Sequence, residues 1–370
     1  MRPEMIVAVK EFKDYLSSRR FLLIFAVLLL MSIAAIIAGV TSYNAQLATY
    51  NTEVSRPASS ATGGFVFQPS FPSMMLIFES FSVSFVTVGW LLAIAIGFDL
   101  ISKEKESGSL KLLLARPIFR DSIINGKILG STAIMIVALG ATFLVAVALL
   151  LFQGIIPKGD DLTRLLTFFV MLVLFSLTFL SVAIAASALA KNSTLAILMA
   201  IGFVVFSLLV PSFSSSIGSI VLGTAPTPTL PATASSSSSG SSQTGTGGGG
   251  FPGGVTISTG GGNGTRETIR MEVNPAYTTY IHNENTITEA MDLVSPTSDL
   301  TSISAVVVDR QSSPSATSGL AGAFDIRGVT TTPTLGSSIS TILPQIISLL
   351  VITIVGFVIS YAKFIRMDVR

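Results

Sequence analysis

Residues 21–40, FLLIFAVLLLMSIAAIIAGV, run for twenty positions without a charged side chain. A bilayer's hydrocarbon core of ~30 Å takes roughly 20 apolar helical residues to cross, so such a run fixes the solvent before it fixes the fold. Five more follow: 74–98, with Glu79 near one end, then 128–152, 165–190, a run from Leu195 to Pro211, and 341–362. Pro211 either kinks the fifth segment or turns the chain back within the membrane, where irregular backbone must be buried in protein or line a cavity. With 50% hydrophobic and 11% charged residues and a mean hydropathy of +0.74, the chain reads as an all-α polytopic membrane protein of six transmembrane helices.

Six crossings put both ends on one side, and Lys and Arg choose the side. With the N-terminus in the cytoplasm, residues 1–20, 99–127, 191–194 and 363–370 lie inside and carry 15 of the 22 basic residues. The cytoplasmic (plasma) membrane, with residues 223–340 outside, is the location this implies.

The parts outside the spans differ in kind. In residues 1–20, Met5, Val9, Phe12 and Leu16 share one helical stripe, with Lys10, Lys13 and Asp14 on other faces. This predicts an amphipathic helix lying in the membrane interface. Residues 21–222 hold the first five spans. Residues 223–264 are a Ser/Thr/Gly-rich linker; positions 224–264 carry no charge and cannot bury a core. Residues 265–340 carry aromatics and alternation, which predicts a small mixed outer subdomain with a short helix near 286–294. Residues 341–370 make the last span and a cytoplasmic tail. Asn263, in an Asn-Gly-Thr sequon, is a glycosylation candidate on the outer side.

Several function classes fall away. The absence of cysteine and a single histidine, His282, remove thiolate and most zinc chemistry. An intramembrane enzyme would need ionisable groups at membrane depth; no span carries one near its centre, and Glu79 reads as an interfacial carboxylate. A channel could use Ser82, Ser84, Thr87, Ser176, Thr178 and Ser181, but small hydroxyl residues also serve close helix packing. A surface protein working through its outer domain, binding or presenting an extracellular partner, stays as the alternative, although one span would suffice to anchor it. Nothing points to nucleic acid.

Residues 99–127, DLISKEKESGSLKLLLARPIFRDSIINGK, gather mixed charge between two spans. Gly108 permits a reversal, SLKLLLAR reads as a short amphipathic helix, and Pro117 stops it. Both charge signs beside an apolar triplet suggest a docking surface for a protein.

That stretch resembles the signature of ABC type-2 transporter permeases, matching at Glu104, Glu106, Gly108, Leu110, Pro117, Arg120, Gly126 and Lys127. Lys105 and Ser109 stand where the family usually has Arg and Thr. VKEFKDYLSSRRF, SALAKNSTLA and YAKFIRMDVR resemble the family's amphipathic helix, tight turn and C-terminal ending. The resemblance does not cover 223–340. It implies the permease subunit of an exporter, non-catalytic itself, working as a dimer with a second permease copy or homologue and a separate ATP-binding subunit. ATP and Mg would then sit on that partner, with no cofactor on this chain, which carries no phosphate loop. The hairpin would couple to the ATPase: Gly108 and Pro117 shaping it, Glu104, Glu106 and Arg120 making polar contacts, Leu110, Leu112, Leu113 and Leu114 apolar ones, with the signature residues Gly126 and Lys127 among the coupling positions.

Overall fold

The structure is a computed structural model and describes residues 3–55, 72–108, 120–157, 159–226, 254–258, 268–272, 274–308 and 335–366. It contains α1 (Pro3–Leu16), α2 (Arg19–Val54), α3 (Leu76–Gly97), α4 (Ser102–Glu106), α5 (Arg120–Phe152), α6 (Gly159–Leu189) and α7 (Ser193–Leu222). After these come strands β1 (Gly254–Ser258) and β2 (Thr268–Glu272), then α8 (Pro275–Asp292), α9 (Pro296–Val308), α10 (Leu335–Thr341) and α11 (Leu343–Ile365). Among the described residues six helices are long and apolar enough to cross a membrane: α2, α3 with its extension through α4, α5, α6, α7 and α11.

The chain divides into two compact units. The first comprises Met1–Val210, Asp292–Pro314 and Thr331–Arg370. Its centre is a ladder of phenylalanines between α3, α5 and α6. Phe78 lies against Phe81, Phe143 and Phe168, and Phe85 against Phe175, at centroid separations of 6.2–6.3 Å, in tilted or edge-on poses that suit the ring quadrupole. Between α6 and α11, small polar residues bring the backbones together: the Thr178 and Thr353 hydroxyls are 2.9 Å apart. Ser82, Ser176, Thr178 and Ser181 are all buried, while Thr87 is exposed and bonds its own helix.

Pro211 stands inside α7, which passes it as one helix. The second unit holds Pro211–Met291 and Ser315–Thr330. There β1 and β2 form an antiparallel pair in the register Gly254↔Glu272 to Ser258↔Thr268, and the Tyr280 hydroxyl of α8 donates to the Gly223 carbonyl at 3.0 Å. The expected short helix near 286–294 is longer and earlier, Pro275–Asp292, because Pro275 opens it and Asn274 Oδ1 accepts the Ala276 N–H.

One element was not expected. In the first unit α9 lodges among α3, α6 and α11, with Leu300, Ile303 and Val307 fully buried. At its end the Arg164 guanidinium, 2% exposed, donates to the Val307 carbonyl at 3.4 Å, a cation at a helix C-terminus.

Candidate functional site

The EKE stretch folds into α4, a single turn immediately after α3, and its side chains leave in three directions. Lys105 reaches the C-terminal end of α6, where the last carbonyls have no helical partner. Its Nζ donates to the carbonyls of Ala188 (2.6 Å), Ala190 (3.0 Å) and Ser187 (3.3 Å). Ser187 answers from the other side: its Oγ accepts the N–H groups of Ile101 and Ser102, both at 2.9 Å. Glu106, exposed, accepts from the Ser193 hydroxyl at 2.8 Å, beside the Asn192 cap that receives the Leu195 N–H. The tight turn between α6 and α7 is thereby bolted to α4.

Glu104 points to the opposite side. Its Oε1 and the Oε1 of Glu11 on α1 each accept from Lys127 Nζ at 2.8 Å. The Lys127 side chain is 3% exposed, so the pair of carboxylates around it is the whole reason its charge is tolerated there. Lys10, at the solvent edge, adds a second cation 4.0 Å from Glu11.

Close backbone approach makes this triad reachable. Gly126 and Gly130 stand one turn apart on the face of α5 that meets α1. A Cβ on Gly126 would lie 2.7 Å from the Glu4 carbonyl oxygen, and one on Gly130 would lie 2.7 Å from that of Ala8. Two glycines at i and i+4 let helices approach as larger residues cannot. Tyr15 completes the seat of α1, donating its hydroxyl to the Ile96 carbonyl at 2.6 Å. Burial first, and then the nearby charges of Asp99 and Glu11, hold its phenol well above the usual tyrosine range. Meanwhile Met5, Val9 and Leu16 of the apolar stripe stay exposed, with Phe12 partly covered. Helix α1 thus turns its stripe outward and a polar face, Glu11 and Tyr15, toward the protein.

The structure therefore brings Glu104, Glu106, Gly126 and Lys127 to one junction. Gly108 ends the described part of the hairpin with φ +68°, a left-handed conformation that favours glycine. Leu110, Leu112, Leu113, Leu114, Pro117 and Asn263 lie outside the described residues, as does the expected SLKLLLAR helix; Arg120 opens α5. Sequence reasoning missed Glu11, Tyr15, Ser187 and Lys105 as members of the junction. The Gly-x-x-x-Gly spacing of 126 and 130 is a signal in the sequence that could have found a helix packed there. Among the described residues no group of three or more His, Asp or Glu could hold a metal ion.

Compared with known proteins, the chain matches a family model described as ABC-2 family transporter protein over residues 5–369. No curated protein matches it.

Proposed function

The chain belongs to the ABC-2 family of transporter proteins and is a membrane-embedded ABC transporter permease, and from that membership we propose how it is driven. It works as the export half of an ATP-driven pump in the plasma membrane, dimeric, with ATP and Mg held by a separate ATP-binding subunit. The hairpin end faces the cytoplasm, in keeping with the 15 basic residues that orientation places inside.

The observation that carries the coupling proposal is the way α4 is tied. A push on the hairpin reaches the α6–α7 turn through Lys105 and Ser187, and reaches α1 and α5 through Glu104 and Lys127. Stiff hydrogen-bonded links of this kind move helices together rather than dissipating the push in loop motion. Glu106, exposed beside Gly108, meets the ATPase together with Leu110, Leu112, Leu113, Leu114, Pro117 and Arg120. Glu104, Gly126 and Lys127 act one layer inward, holding the hairpin against α1.

The test is co-purification. The tagged full-length chain, extracted from its native membrane in gentle detergent, should bring down an ATP-binding chain with measurable hydrolysis. Elution alone, without ATPase activity at any detergent ratio, would overturn the proposal.

A further inference from the structure

Helix α9 carries a carboxyl group where a charge is costly. Asp299 is 1% exposed, on a helix wrapped by α3, α6, α10 and α11 and touched by α7 through Ser207, which bonds Thr297. The charges facing it are few. On α7 and α10 there is none; on α3 the one candidate, Glu79, is exposed; on α11 Lys363 lies at the far end of the helix. On α6, Asp161 and Arg164 sit near its beginning, with Arg164 at the Val307 end of α9. The charge that does act on Asp299 is Asp292, of the same sign.

Donors to this carboxyl are scarce as well. The Ser348 hydroxyl on α11 meets both the Asp299 carboxyl and the Leu293 carbonyl, so two acceptors compete for its single proton. The other oxygen, Oδ2, is buried and meets no donor. A carboxylate needs donors; this site offers one contested hydroxyl and a like charge.

We propose that Asp299 is a proton-binding site that locks α9 into the bundle, the helix staying lodged while the proton is bound and leaving when it is lost. Burial above all, opposed by the Ser348 contact and reinforced by Asp292, pushes this carboxyl up to about 8. A free aspartate titrates near ~3.9. Between roughly pH 4 and 8 the docked helix is thus neutral and the released helix ionised, so docking is strongest at low pH and weakens by up to about tenfold per pH unit. Above about 8 both forms are ionised and the dependence flattens.

The chain has no cysteine, so a single thiol can report the motion in the full-length protein in lipid nanodiscs. Ser304→Cys, buried on α9, is labelled with a membrane-impermeant thiol reagent, and exposed Thr286→Cys on α8 corrects for thiol ionisation. The corrected rate should rise at least tenfold between about pH 5.5 and 7.5, and should be slow and flat when Asp299→Asn is added. A rate independent of pH, or one that rises equally with Asn at 299, overturns the proposal. Infrared difference spectra guard against a variant that folds poorly. The unsubstituted chain should show a carboxylic-acid C=O band at pH 6 that is lost by pH 10; its absence at pH 6 would also overturn it.

Discussion

Lys127 and Glu11 are 116 positions apart in sequence and 2.8 Å apart in space. One buried ammonium, shared by Glu11 of α1 and Glu104 of α4, ties α1, α4 and α5 together. Removing the cation should therefore do more than removing a surface charge.

Lys127→Met leaves two carboxylates facing each other without a counter-ion. The expected loss is about 3–5 kcal/mol, read as a fall in the thermal midpoint of the detergent-solubilised chain. Lys10→Met at the solvent edge should lower it by less than about 1 kcal/mol.

Gly130→Val puts a methyl-bearing carbon 2.7 Å from the Ala8 carbonyl oxygen, against backbone that cannot step aside cheaply. Helix α1 should lift from α5 at a cost of about 1–3 kcal/mol, exposing Lys10 and Lys13 to faster tryptic cleavage. Gly140→Val, where an added Cβ meets nothing within 4 Å, should leave cleavage unchanged.

Lys105→Ala strips the donor from three carbonyls at the end of α6. Charge-assisted bonds of this kind contribute about 1.5–3 kcal/mol, so amide exchange across the α6–α7 turn should quicken by one to two decades. Lys105→Arg, which restores a cation with several donors, should recover most of the protection.

Tyr15 gives a pH signature. Its phenol is held above the usual range of about 10, so the folded chain keeps its proton where the unfolded chain gives it up. The stability this adds is complete below about pH 10 and declines as pH rises beyond it. An alkaline absorbance titration should show a late-ionising tyrosine component, and Tyr15→Phe should remove it.

The spans were legible in the sequence because membrane solvent imposes a length and an apolarity that can be counted residue by residue. The run at 21–40 lies in a helix of 36 residues, and the one at 128–152 in a helix that starts at Arg120. Helix ends moved because polar turns continue a helix past the hydrocarbon edge at no cost. The apolar stripe of α1 was legible too, since a period of 3.6 needs no partner to be seen. Its second face was not: Glu11 reads as a solvated charge until Lys127 is brought beside it. Helix α9 was hidden for a related reason. Its buried apolar residues, Leu300, Ile303 and Val307, are too few to span a membrane, and the adjoining Asp299 argues for water. Arg164 lay at the edge of a span, where a cation is ordinary, and its contact with the Val307 carbonyl is not announced by the sequence.

The central claim, that a separate ATPase drives this permease through the hairpin, is tested most directly by reconstituting both chains in proteoliposomes and measuring how far the permease stimulates hydrolysis. Glu106→Lys reverses the exposed charge beside the turn, and Gly108→Val forces a β-branched residue into a left-handed conformation with φ +68°. The account predicts that both insert normally and that each cuts the stimulation by about tenfold, the equivalent of ~1.4 kcal/mol of lost coupling. Undiminished stimulation in both variants, at equal insertion, would contradict it.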